Sequence, residues 1–96
     1  MKIGDYVIAR TQSAGVFAGT LSAEKGQVVT LTNARRIWDW AGAASLSQLA
    51  MSGTSKPKDC KFPEAVNEVK LYECIEMLVV TDAARQSIEG VKPWKQ

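Results

Sequence analysis

Histidine is absent from this 96-residue sequence, and cysteine occurs only twice. The missing histidine removes the commonest acid–base group near neutral pH and excludes a Cys-His nucleophile. Cys60 and Cys74 stand fourteen residues apart with no C-x-x-C pair, so the roughly four soft ligands of a zinc site are lacking. We therefore predict no enzymatic activity, no metal and no cofactor. Both cysteines are expected to be reduced, and at least one to be buried.

The sequence also lacks a hydrophobic run long enough to span a membrane, and residues 1–5 do not open a signal peptide. With 46% hydrophobic residues, it is neither disordered nor membranous in composition. These features favour a cytoplasmic protein. We expect one domain over residues 1–96, with a loose tail from residue 91, and a modest core that oligomerisation can supplement.

A strong charge of either sign is missing as well. The formal net charge is only +2, and lysine and arginine are spread along the chain. Long duplex nucleic acid usually attracts a far more basic surface, so the composition argues against such a partner. A small anionic ligand needs only a few local cations, and the sequence does supply these.

The first half of the chain has the pattern of antiparallel β structure. Strands are predicted over residues 6–11, 16–21 and 27–31, with turns at Ala14-Gly15 and Lys25-Gly26. Three short strands with tight turns form a meander, which twists and can curl towards a barrel. Gly19 within its strand indicates a bulge or a close backbone approach. Packing is the favoured reason for this glycine, and a ligand is the alternative.

The hydrophobic period changes in the second half. Ser45 to Gln48 has the form of a capping box, which predicts a short helix ending at Gly53. The apolar-rich stretch over residues 66–81 predicts one long strand, and Thr81 then caps a helix over residues 82–89. The predicted fold is α+β and mainly β: a small antiparallel meander or partly closed sheet with a short middle helix and a C-terminal helix.

Two polar segments flank these elements. The loop over residues 54–61 holds Lys56, Lys58 and Lys61, for which we favour a solvated loop over a phosphate contact. The tail holds Trp94, which could dock at a subunit boundary.

The most distinctive stretch is Asn-Ala-Arg-Arg-Ile-Trp-Asp-Trp at residues 33–40. Guanidinium groups grip phosphates and indole rings stack on bases, so this pattern fits a nucleotide site. If the preceding strand continues, alternation places Arg36, Trp38 and Trp40 on one face and Arg35 on the other. The alternative is a strand that buries its tryptophans and solvates its arginines.

The stretch at residues 33–40 also carries a family resemblance. Together with Ser-Ala-Gly-Val-Phe-Ala-Gly at 13–19, the segment 41–50 and the closing strand 73–80, it resembles a family of small phage and prophage proteins that includes the Thoeris anti-defence sponges. The resemblance covers residues 5–88. It implies a non-enzymatic protein that captures nucleotide-derived immune signals, such as glycocyclic ADP-ribose and cyclic oligonucleotides, in the cytoplasm of the infected host. It also implies dimers, or hexamers built from dimers.

The chemistry of such a ligand suggests roles for individual residues. Arg35 or Arg36 would hold phosphate, and we favour Arg35, with a partly solvated side chain, because Arg36 shares a face with the tryptophans. Asn33 would bind an adenine edge, and Arg10 would approach if the strands curl around one pocket. The aromatic candidates for base stacking are Phe17, Trp38 and Trp40. The predicted binding residues are Arg10, Phe17, Asn33, Ala34, Arg35, Arg36, Trp38 and Trp40.

A small subunit offers little concave surface, so we expect homo-oligomers with pockets between subunits. The alternative function is a phage structural or interaction module whose Trp/Arg motif forms a protein interface, since these residues also dominate protein hot spots.

Overall fold

A five-stranded antiparallel sheet with two helices on one face forms the fold, and the computed structural model describes all 96 residues. The strands are β1 (Tyr6–Thr11), β2 (Val16–Lys25), β3 (Val28–Arg36), β4 (Val66–Leu71) and β5 (Cys74–Val79), and the helices are α1 (Leu46–Ser52) and α2 (Asp82–Gly90). In the sheet the strands lie in the order β4-β3-β2-β1-β5, and hydrogen bonds do not close it. The predicted α+β class, mainly β, is confirmed.

Local signals account for the helix ends. The Ser45 hydroxyl accepts a hydrogen bond from the backbone N–H of Gln48, and the Gln48 side chain accepts one from the N–H of Ala44. Gly53 ends α1 at a φ of 75°, a conformation that side chains disfavour. Thr81 caps α2 by accepting a hydrogen bond from Ala84. The predicted starts of both helices are confirmed.

The long strand predicted over residues 66–81 is wrong, because two strands occupy that range. β4 and β5 lie on opposite edges of the sheet, and only Tyr72 and Glu73 join them. The edges approach each other at this link: the Glu73 carbonyl accepts a hydrogen bond from Gln12, and the Cys74 N–H donates one to Gln27. The chain therefore crosses from one edge of a curled sheet to the other, and no glycine or proline marks the crossing in the sequence.

Both faces of the sheet are buried. The helices cover the first face, and the curl of the sheet covers the second. The largest side chains of the first core are Tyr6, Ile8, Ile37, Leu49, Phe62 and Ile88, and those of the second are Val7, Phe17, Leu21, Val29, Leu31 and Leu71. Burying alternate residues of β1 on opposite faces requires a strand that is apolar throughout, which residues 6–9 are.

Gly19 lies at an irregularity in the register between β2 and β3. A Cβ atom there would lie 3.0 Å from both Ala34 Cα and the Thr32 carbonyl oxygen. The glycine thus permits a close backbone approach, and packing is its reason, as favoured above.

The tail differs from the loose segment that the sequence suggested. Val91 is buried, and the Trp94 N–H donates a hydrogen bond to the Phe62 carbonyl at 2.9 Å. The chain therefore packs against its own loop as far as Trp94. Both cysteines are buried and unpaired, and neither helix is long and apolar enough to cross a membrane.

Candidate ligand-binding site

A concavity of about 310 Å³ lies where the turn between β1 and β2 meets the end of β3. The turn contributes residues 13–16, and the chain leaving β3 contributes Arg36, Ile37, Trp38 and Trp40. Backbone hydrogen bonds fix this wall, because the Ile37 N–H donates to Val16 at 2.8 Å and the Trp38 N–H donates to Lys61 at 3.1 Å. We call this concavity the candidate site.

Arg36 is held in place on two sides. Its guanidinium carbon lies 4.3 Å from the centre of the Phe17 ring, and one terminal nitrogen donates to the Ala14 carbonyl. Gly15 gives the turn its shape, because its φ of +96° is one that glycine adopts readily, and a Cβ atom there would contact the same nitrogen at 3.4 Å. A guanidinium carries five N–H donors, so a half-buried arginine with one hydrogen bond keeps several for a ligand.

The two tryptophans of the site have different surroundings. The Trp38 side chain is 64% exposed. Trp40 is half-buried against the helical core, and its indole N–H donates to the Ala43 carbonyl at 3.2 Å. One indole is thus free to stack on a planar group, while the other forms part of the wall. The structure brings Arg36, Trp38 and Trp40 to one concavity. β3 ends at Arg36, however, so the strand on which the predicted alternation depended does not continue to the tryptophans.

The expectation that the Arg35 side chain is partly solvated is wrong. Arg35 is only 5% exposed, and its guanidinium donates to the carbonyls of Pro63 at 3.0 Å, Ile88 at 2.8 Å and Phe62 at 2.9 Å. Burial lowers the pKa of this guanidinium, while Tyr6 opposes the shift. Arg35 therefore joins the loop before β4 to the end of α2, on the opposite face from Arg36.

Three other predicted residues lie outside the concavity. Asn33 is exposed at a φ of 51°, in a separate hollow of about 360 Å³ that Tyr6 also lines. Ala34 is 1% exposed and lies against Gly19. Arg10 is ion-paired with Glu76 at 2.9 Å. Within one subunit, the structure does not bring these three residues to Arg36 and Trp38.

Phe17 lies beneath the candidate site and supports the Arg36 side chain. It is 3% exposed, so its ring serves as the surface beneath Arg36 and offers no open face to a base. The sequence analysis missed two contributors, the carbonyl of Ala14 and the backbone of Lys61. The Ser-Ala-Gly segment carried a signal for the first, since it predicts the turn whose Ala14 carbonyl accepts the hydrogen bond from Arg36.

The candidate site can bind an anionic, planar ligand. It offers guanidinium donors, an exposed indole and polar backbone groups in one place. In the whole chain, no group of three or more histidine, cysteine, aspartate or glutamate side chains is positioned to hold a metal ion.

One comparison with known proteins gives a match. The model of a family described as a domain of unknown function (DUF6948) matches residues 4–88, which is most of the chain. No curated protein and no solved structure matches it.

Proposed function

We propose that this chain, which belongs to the DUF6948 family, is a phage anti-defence sponge that binds cyclic nucleotide immune signals and sequesters them without cleavage. Glycocyclic ADP-ribose and cyclic oligonucleotides are the proposed ligands, and the cytoplasm of the infected host is the proposed place of action. The class of ligand comes from the resemblance of residues 33–40 to the sponge family. The candidate site supplies the chemistry that such a ligand needs.

The observation that carries the proposal is the pairing of Arg36 with Trp38 in one concavity. A cyclic nucleotide presents phosphates and bases close together, so its receptor needs a cation and an aromatic face close together as well. Arg36 keeps free N–H donors above Phe17, and the Trp38 ring is mostly exposed. In the proposed complex, Arg36 binds a phosphate and Trp38 stacks on a base.

The size of the concavity favours a site shared between subunits. The volume of about 310 Å³ is at the lower end of the roughly 300–1,000 Å³ typical of small-molecule pockets. A cyclic dinucleotide bound there would therefore leave much of its surface exposed to solvent. A second copy of the chain would supply the missing wall. Tyr72, Ile75 and Val79 are exposed on and beside the edge strand β5, and such a surface suits self-association. We therefore propose a homo-oligomer, a dimer at least.

The second candidate function is an interaction module whose exposed Trp38 is inserted into a partner protein. The observation that favours it is the same 64% exposure, because large exposed apolar side chains often mark protein interfaces. The two functions differ in one property: only the sponge binds a nucleotide in the absence of another protein.

A direct test is to incubate the protein with a panel of cyclic dinucleotides, cyclic trinucleotides and glycocyclic ADP-ribose, and to record thermal melting. A ligand that binds only the folded state raises the melting temperature. Ligand released by denaturation should have an unchanged mass in mass spectrometry, even after long incubation. Recovery of a linearised product that increases with time would make the protein an enzyme and overturn the sponge.

Two variants connect the result to the site. Trp38→Ala should abolish the shift in melting temperature. Met51→Ala is the matched control, because Met51 is also 64% exposed but lies on α1 outside the concavity, and it should preserve the shift. Absence of a shift with every ligand would contradict the sponge and favour the interaction module.

A further inference from the structure

A second and larger concavity, of about 590 Å³, lies where the loop before β4 meets the C-terminal tail. The loop contributes Lys58 and the buried Cys60, and the tail contributes Lys92, Trp94 and Lys95. No residue of this concavity lines the candidate site. We call it the lysine concavity.

Packing fixes the two segments that form it. The backbone N–H of Trp94 donates to the Phe62 carbonyl at 2.9 Å, and the Lys61 ammonium lies 5.5 Å from the centre of the Trp94 ring. On the loop side, Pro57–Asp59 forms a single 3₁₀ turn that ends against Cys60 and presents Lys58. Trp94 belongs to the tail and lines the hollow together with Lys58, Lys92 and Lys95, and the Lys61 ammonium lies over its ring.

The lysines of this concavity form no ion pair. The whole chain contains two ion pairs, Arg10 with Glu76 and Arg85 with Glu89, and neither involves a lysine. The lining of the lysine concavity contains three lysines and no carboxylate. Because like charges repel, three ammonium groups around one hollow are stabilised by an anion that enters it.

The arrangement of the cations indicates the kind of anion. Lysine acts as a flexible point charge, so lysines from two separate segments around a wide hollow suit several phosphates better than one tightly held phosphate. An indole among them offers a face to a base. A basic groove with an aromatic ring is the usual way in which proteins hold a single strand. We propose that the lysine concavity binds short single-stranded nucleic acid through its phosphates, with a base against Trp94.

This site is independent of the proposed function, since it uses other residues and a linear ligand. Arg36→Ala should therefore leave strand binding unchanged. Replacing the lysines should likewise leave the binding of cyclic nucleotides unchanged. Failure of either proposal is thus distinguishable from failure of the other.

The test measures fluorescence anisotropy of labelled octathymidylate over a range of salt concentrations. Each phosphate neutralised on a single strand contributes about −0.7 to the slope of log K against log salt, so three lysines predict a slope of about −2. In the triple variant Lys58→Ala, Lys92→Ala and Lys95→Ala, the slope should approach zero, and affinity at low salt should fall by about tenfold or more.

The matched control is the triple variant Lys2→Ala, Lys25→Ala and Lys70→Ala. These lysines are exposed and lie outside the concavity, and the variant loses the same net charge. The control should keep the slope and the affinity of the parent. An equal loss in both triple variants would show attraction to net charge alone and overturn the proposal.

Two further comparisons test whether a base of the strand stacks on Trp94. An abasic strand of equal length should bind several-fold more weakly than octathymidylate, and Trp94→Phe, which keeps an aromatic face, should preserve most of the affinity. If the abasic strand binds equally well and tripolyphosphate displaces octathymidylate at equal phosphate concentration, the concavity recognises phosphate alone and the assignment to nucleic acid is wrong.

Discussion

The guanidinium of Arg36 lies 4.3 Å above the ring of Phe17, directly across the β2–β3 register. Phe17 is buried, so the ring cannot move away, and the cation over it has a fixed position. A phosphate ligand held by such an arginine does not have to order a flexible side chain first, which lowers the entropy cost of binding. The guanidinium of Arg35, one residue earlier in the chain, instead donates hydrogen bonds to three backbone carbonyls.

The two arginines should therefore respond oppositely to replacement by alanine. Arg35→Ala leaves three carbonyls without their donor and should lower the free energy of unfolding by about 3 kcal/mol or more. Arg36→Ala removes one exposed hydrogen bond and a cation–π contact, which should cost about 1 kcal/mol or less. Urea unfolding of both variants measures the difference.

The two arginine variants should rank in the reverse order for ligand affinity, with the larger loss in Arg36→Ala. Arg36→Ala should weaken nucleotide binding about tenfold or more, because a charge-assisted hydrogen bond contributes roughly 1.5–3 kcal/mol. Arg36→Lys should recover only part of this, since it keeps the charge and loses the planar fork. Calorimetric titration decides the matter. Parent-like affinity in Arg36→Ala would place the phosphate contact elsewhere.

Gly19 should not tolerate a side chain. The Cβ atom of Gly19→Ala would lie 3.0 Å from Ala34 Cα and 3.2 Å from Leu31 Cβ, so a strand must shift, at a cost of about 1–3 kcal/mol. Gly90→Ala is the control, because a Cβ atom there meets nothing within 4 Å and alanine favours the end of α2. Thermal unfolding should show a loss for the first variant and no loss for the second.

The residues that the sequence could predict are those whose conformation is set by near neighbours. The caps at Ser45 and Thr81 depend on residues three positions away, and the β1–β2 turn depends on Gly15. That Arg36, Trp38 and Trp40 line one concavity was also expected, because they lie within five residues of one another. Each of these features could therefore be inferred before the fold was known.

The features that could not be predicted depend on distant segments. The carbonyls that bind Arg35 belong to residues 27, 28 and 53 positions further along the chain, so no local pattern distinguishes it from Arg36. The break at Tyr72 and Glu73 has the same origin, because it marks the crossing between two sheet edges. Asn33 looked like part of the motif, yet it lines another hollow, to which the distant residues Tyr6, Glu64 and Glu89 contribute.

Tyr6 should make stability fall in alkaline solution. Burial raises the pKa of its phenol from 10.0 to about 12, with Glu89 adding to the shift and Arg85 and Arg35 opposing it. Above pH 10 the unfolded chain loses this proton while the folded chain keeps it. The stabilisation is therefore complete below pH 10 and is lost as the pH rises to about 12, by roughly 2–3 kcal/mol in total.

The measurement is the free energy of unfolding between pH 10 and 12 in the parent and in Tyr6→Phe, which should lose less stability over this interval. Tyr72→Phe is the control, since Tyr72 is 66% exposed, and it should behave as the parent does. Burial also raises the pKa of the Cys74 thiol, and that contribution is common to all three proteins. Equal slopes in the parent and Tyr6→Phe would contradict the prediction.

Replacing each tryptophan of the candidate site by alanine should affect a different property: the stability of the fold for Trp40 and ligand binding for Trp38. Trp40→Ala removes a half-buried indole that packs on the helical core and donates to Ala43, so it should cost about 2 kcal/mol of stability. Trp38→Ala removes an exposed ring and should leave stability within about 0.5 kcal/mol of the parent.

In the parent, a bound nucleotide should quench tryptophan fluorescence, because the base stacks on Trp38. Trp38→Ala should lose this quenching at ligand concentrations that saturate the parent. Quenching that survives in Trp38→Ala and disappears in Trp40→Ala, with the fold intact by circular dichroism, would transfer the stacking role to Trp40.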